Sequence, residues 1–65
     1  MKLHINGEMR DLDDVSTIAD VVNTLGFPAA ALLVEHNGTA LRREEWTLAV
    51  SEGDRLEVIR IVAGG

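Results

Sequence analysis

The sequence predicts a two-layer α+β domain, one helix lying across one sheet. Three observations predict it. Period-two apolar alternation opens the chain at Leu3 and Ile5 and closes it at Leu56 and Val58. Between them one stripe, Ile18, Val21, Val22 and Leu25, follows the i, i+3, i+4, i+7 spacing of an amphipathic helix. Two Asn-Gly pairs, Asn6-Gly7 and Asn37-Gly38, stand where hairpins would reverse, because both positions of such a turn take positive φ.

Taken in order, Met1, Leu3 and Ile5 alternate with Lys2 and His4 as a half-buried strand, and the return strand runs from Glu8 to about Leu12. Asp11, Asp13 and Asp14 mark a polar loop. Thr17 is a good N-cap, and Asp20 three residues on makes an imperfect capping box, its side chain being shorter than the usual Glu. Gly26 ends the helix and Pro28 prevents its continuation. Ala30 to His36 reads as a third strand with Leu32 and Val34 inward, Leu33 and Glu35 outward. A short strand around Ala40-Leu41 follows, then a helical turn over Arg43-Glu44-Glu45-Trp46 with Trp46 capping one end of the core. Ser51-Glu52-Gly53-Asp54 is a turn cluster that leads into the last strand.

At 65 residues the chain holds one small domain, residues 1–62, followed by a flexible tail at 63–65. A domain of this size buries only about 60% of the surface its unfolded chain exposes, too little to enclose a deep catalytic cavity. With no cysteine there is no disulfide, and no thiol to serve as nucleophile, carrier or metal ligand. The net charge of −5 argues against nucleic acid as a partner. There is no basic n-region and no long apolar run, so neither signal peptide nor membrane span is expected, and the cytoplasm is the default location.

The terminal stretch draws the most attention. Val58, Ile59, Ile61 and Val62 suit a packed strand, whereas Ala63-Gly64-Gly65 does not. Order is expected to end near Val62, and three extended residues reach roughly 10 Å. A thin arm without Cβ atoms at Gly64 and Gly65 would carry its carboxylate into a partner's narrow cleft. In the last strand Leu56 and Val58 share one face; charged Arg55 and Glu57 mark the other as solvent-facing, which leaves Ile59 and Ile61 exposed. Leu33 joins them from the neighbouring strand. Each such side chain contributes about 1.5–3 kcal/mol when a partner buries it, so Leu33, Ile59, Ile61 and Val62 are the expected docking residues.

Other chemistries find no support. His4 and His36 stand alone, without the spacing of a metal pair, and read as structural or surface histidines. Asp11-x-Asp13 begins like a calcium loop, yet Ser16 and Val22 occupy the positions of its glycine and its bidentate glutamate. The glycines match neither a P-loop nor a dinucleotide fingerprint. No bound metal or cofactor is expected, and the chain by itself is not expected to be an enzyme.

The topology and the Gly-Gly end resemble the ubiquitin-like β-grasp proteins, and within them the ThiS family of sulfur carriers in thiamine biosynthesis. Its carriers here are Thr17-Ile18-Ala19-Asp20-Val21-Val22, Asn37-Gly38, Arg43-Glu44-Glu45-Trp46, Glu52-Gly53-Asp54-Arg55-Leu56 and Val62-Ala63-Gly64-Gly65. The resemblance implies a mixed sheet of four to five strands, its first and last strands adjacent and parallel, with the helix across one face. It also implies a chemistry. A ubiquitin-activating-like adenylyltransferase uses ATP and magnesium to adenylate Gly65, sulfur from a persulfide donor converts it to a thiocarboxylate, and thiazole synthase takes that sulfur. The carrier is a monomer when free. A carrier without cysteine can hold sulfur only at its terminal carboxylate.

Two alternatives use related chemistry. The small subunit of molybdopterin synthase is generally longer, often with prolines shortly before its final glycines; here Ile61-Val62-Ala63 stands in that place and Pro28 is the only proline. A ubiquitin-like protein modifier shares the activation step, but Lys2 is the only lysine through which such chains could be built.

Overall fold

A computed structural model describes residues 1–61 of the chain. Strands β1 (Lys2–Ile5), β2 (Glu8–Asp11), β3 (Leu32–His36), β4 (Thr39–Leu41) and β5 (Arg55–Arg60) form one sheet in the order β2-β1-β5-β3-β4. β1 and β5 lie parallel, His4 opposite Arg55 and Ile5 opposite Leu56, and the other pairings are antiparallel. Helix α1 (Ile18–Leu25) contributes Ile18, Val21 and Val22 to a core that also holds Leu3, Ile5, Leu32, Val34, Trp46, Leu56 and Val58. The mixed sheet with one helix is the architecture expected, and the strand count resolves at five.

The start of α1 is better made than its sequence suggests. Thr17 Oγ1 accepts from the Asp20 N–H at 3.2 Å, and Asp20 Oδ2 accepts in return from the Thr17 N–H at 3.1 Å. The capping box is therefore complete, because extended Thr17 (φ −124°, ψ 167°) brings its N–H within reach of the short carboxylate. The same Oδ2 takes the Ser16 N–H at 2.8 Å. These two backbone donors, Ser16 first, hold the Asp20 carboxyl below the usual carboxylate range. The first-turn N–H of Ile18, which has no partner inside the helix, donates to the Leu48 carbonyl at 3.0 Å. Gly26 closes the far end in the left-handed region at φ 78°.

Three boundaries differ from expectation. β3 begins at Leu32 rather than Ala30, since Ala29–Ala31 form a 3₁₀ turn behind Pro28. Alanine has little strand preference, and the proline presets φ near −60°. The Ala31 N–H closes that turn on the Pro28 carbonyl at 3.0 Å. β1 begins at Lys2 rather than Met1, whose ammonium reaches the Asp11 carboxylate at 3.2 Å and the Leu12 carbonyl at 3.0 Å. β2 stops at Asp11, which pairs with Lys2 in the sheet instead of opening the polar loop.

Candidate functional site

β5 organises the site because it leads to the chain's last residues. Its alternation works as the sequence suggests. Leu56 is 1% exposed and Val58 8%, both against the core, while Arg55, Glu57 and Ile59 face outward. Ile59 is 47% exposed and stands opposite Leu33, itself 53% exposed, in the β3–β5 ladder. Ile61 is 48% exposed, and its N–H donates to the Ala31 carbonyl at 2.7 Å. The structure therefore brings Leu33, Ile59 and Ile61 together on the open face of the sheet. Val62, Ala63, Gly64 and Gly65 lie outside the described residues.

What holds β5 on course was not read from the sequence. β1 turns away at Asn6-Gly7, while β5 continues past Leu56. The Asn6 N–H donates to the Leu56 carbonyl at 3.0 Å. Its side chain then takes the place of the missing strand: Oδ1 accepts from the Val58 N–H at 2.8 Å and Nδ2 donates to the Val58 carbonyl at 3.3 Å. The amide carries its acceptor and its donor on two separate atoms of one short side chain, and asparagine also tolerates the local φ of 52°. Asn6→Asp removes the donor and aims an acceptor at a carbonyl. It is expected to cost about 1–3 kcal/mol in a urea unfolding curve, because the Val58 carbonyl loses its partner.

A second set of bonds fixes the start of β5. Asn37 Oδ1 accepts from the Arg55 N–H at 2.8 Å, and Asn37 Nδ2 donates to Asp54 Oδ1 at 3.2 Å. Asp54 Oδ2 accepts from the Ser51 N–H at 2.9 Å and lies 2.8 Å from His36 Nε2. Burial pushes the Asp54 carboxyl upward, but the bonds from His36, Ser51 and Asn37 together outweigh it and hold the group below the usual range. A carboxyl lowered by folding contributes stability above its unfolded pKa, about 3.9, and loses it as pH falls through the lower folded value. Asp54→Asn should therefore destabilise the domain at pH 7, and the gap should close in denaturation curves recorded below about pH 4. His36, the last residue of β3, is thus a partner of Asp54, the residue just before β5. Among the described residues, no three His, Cys, Asp or Glu side chains are grouped so that they could hold a metal ion.

The Arg-x-x-Trp segment has its own role. Arg43–Thr47 form a 3₁₀ helix, the helical turn expected there, and Trp46 is 5% exposed at the edge of the core. Arg43 places its guanidinium 4.2 Å from the Trp46 ring centre and donates through Nη2 to the Ala29 carbonyl at 2.6 Å. Periodicity alone offers no signal for that stacking, although the i, i+3 spacing of Arg43 and Trp46 permits it.

Known proteins share this fold. The fold matches the crystal structure of the thiamine biosynthesis protein ThiS from Geobacter metallireducens, with a TM-score of 0.82, 29% identity and full coverage of both chains. Among curated sequences, the chain is 33% identical over 66 aligned positions to a thiazole synthase of Paramagnetospirillum magneticum and 30% identical to one of Magnetococcus marinus. All of the chain is aligned in both cases, yet it spans about 20% of the length of either relative. The model of the ThiS family matches residues 3–65, from the first strand through both final glycines, and the chain belongs to that family.

Proposed function

We propose that the chain is a sulfur carrier of thiamine biosynthesis, acting in the cytoplasm and loaded at the Gly65 carboxylate. The observation that carries this reading is the family match, which runs through Gly64-Gly65. The likeness to a thiamine biosynthesis protein and to thiazole synthases supports the choice of pathway. The carrier is a substrate of other enzymes rather than an enzyme itself.

The chemistry follows from the terminus. An ionised α-carboxylate, with a pKa of about 3.5, is a poor electrophile at neutral pH. A ubiquitin-activating-like adenylyltransferase supplies ATP and magnesium. A Gly65 carboxylate oxygen attacks the α-phosphorus of ATP, and pyrophosphate leaves. The terminal sulfur of a persulfide donor then attacks the acyl carbon and AMP leaves, giving an acyl disulfide. A second thiol cleaves that disulfide, releasing Gly65 as a thiocarboxylate and forming a new disulfide with the donor. Thiazole synthase receives the sulfur.

In this reading Leu33, Ile59, Ile61 and Val62 dock the partner enzymes, and Ala63 and Gly64 pass through the channel with Gly65 at the reacting end. Incubation with the activating enzyme, magnesium ATP and a persulfide source should raise the intact mass by the difference between one sulfur and one oxygen. Fragmentation should place the change on Gly65. Sulfur that never appears there overturns the carrier reading. A thiocarboxylate accepted by molybdopterin synthase but refused by thiazole synthase overturns the pathway.

A further inference from the structure

We infer that the groove between β3, β4 and the 3₁₀ helix Arg43–Thr47 receives an extended segment of a partner protein in which a carboxylate stands beside an apolar side chain. The inference rests on the docking reading of Leu33 and Ile61 and adds the partner's chemistry. The groove measures about 440 Å³ and is lined in part by Ala30, Leu33, Leu41, Arg43, Trp46 and Ile61.

Three observations converge there. The first is a donor without an acceptor. Among the described residues, the Trp46 indole Nε1–H is the one buried side-chain polar atom with no hydrogen-bond partner. Native proteins rarely bury a donor unpaired, and an incoming oxygen would remove that cost. The second is a prepositioned cation. Stacking on Trp46 and the bond to the Ala29 carbonyl hold the Arg43 guanidinium in place but occupy only part of its five-donor fork. Its remaining N–H groups suit a carboxylate, and little side-chain freedom is left to lose on binding. Arg42 adds a second positive charge on the rim, paired loosely with the exposed Glu44 at 3.5 Å and with Glu45 at 3.6 Å. The third is apolar surface. Leu33 and Ile61 are each about half exposed, and both line the same groove. A buttress for the core would explain Arg43 over Trp46, but it leaves Nε1 unpaired and Leu33 uncovered.

The charge pattern selects the occupant. The chain carries −5 overall, with only six Lys and Arg, and two of those six, Arg42 and Arg43, stand side by side at this rim against a single lining carboxylate, Glu44, so the rim is locally positive. A basic segment would be drawn to the acidic remainder of the surface, whereas an acidic one finds its complement here. The groove also borders Ile61, so a segment seated in it would sit beside the residues that lead to Gly65.

Trp46 is the only tryptophan, so its indole N–H gives a single nitrogen–proton NMR resonance. Full-length labelled protein is titrated with acetyl-Leu-Asp-amide and, separately, with the neutral isostere acetyl-Leu-Asn-amide. The aspartyl probe should move the indole resonance downfield and saturably, together with the Leu33 and Ile61 amides. The asparaginyl probe should bind roughly fivefold more weakly, since a charge-assisted bond is lost. Leu33→Ser, a change on the exposed face, should weaken the aspartyl probe severalfold and leave the unfolding curve unchanged. Equal binding of the two probes overturns the inference, as does an indole resonance that neither moves. The titration needs neither activating enzyme nor sulfur, so failure of Gly65 to form a thiocarboxylate is a separate result.

Discussion

A chain lacking Gly65 should yield no thiocarboxylate and support no thiazole formation, while its unfolding curve overlays that of the full chain. Deletion draws the carboxylate back by roughly 3.5 Å. Misplacement by about 1 Å already costs on the order of a hundredfold in a positioned reaction, so the loss should be complete within detection. Extending the chain by one residue should fail for the same reason in the opposite direction. Gly64→Ala should impair transfer less, by adding a Cβ in a narrow channel and restricting φ. The measurement is intact mass after incubation with activating enzyme, magnesium ATP and persulfide, followed by product formation in a purified system. Thiazole made with truncated or extended carrier would remove Gly65 from the chemistry.

The second large effect separates two neighbours on β5. Val58→Glu should leave the domain unfolded at neutral pH, whereas Ile59→Glu should leave it folded. Val58 is 8% exposed against the core. Losing its burial costs about 1.5–3 kcal/mol, and an unpaired buried carboxylate adds several kcal/mol more. A core of this size rarely supplies more than about 3–5 kcal/mol in total, so the charge wins. Ile59 faces water beside Leu33, and only their cross-strand contact, about 0.2–1 kcal/mol, is at stake. Binding of Ile59→Glu to the activating enzyme should weaken by about tenfold or more, the equivalent of one buried apolar side chain. Circular dichroism and a pull-down against that enzyme check both halves. A folded Val58→Glu protein would contradict the packing of β5, and unchanged binding of Ile59→Glu would remove it from the docking face.

Which features could be read ahead of the structure depends on how local their causes are. Helix α1 was legible because its cap, stripe and terminating glycine all lie within ten residues, Thr17 to Gly26. The faces of β5 were legible because Arg55 and Glu57 alternate with Leu56 and Val58. The start of β3 was not, since alanines behind a proline carry no strong preference and their conformation is settled by Arg43 at Ala29 and by Ile61 at Ala31. The Asn6 side chain on Val58 was equally hidden. That contact follows only once β1 and β5 are neighbours, and nothing near Asn6 in sequence says so. The exposure of Leu33, Ile59 and Ile61 came from strand alternation, whereas the groove at Trp46 needed β3, β4 and the 3₁₀ helix brought together. The role of Gly65 rests on sequence and family alone.

The parallel placement of β1 and β5 has a mechanical consequence. Load applied at the end of β5 while the rest of the domain is held falls directly on these two strands. With β1 held and β5 drawn toward its C-terminal end, the two parallel strands slide along their common axis. The bonds between them, at His4, Asn6 and the Asn6 amide on Val58, lie across that direction and are loaded together rather than opened one at a time. The antiparallel ladder between β5 and β3 lies on the other side of β5 and is sheared in the same pull. Tension on the terminus therefore meets its resistance in many bonds at once, and survival under load is set by the rate of unfolding rather than by the modest equilibrium stability of a domain this small.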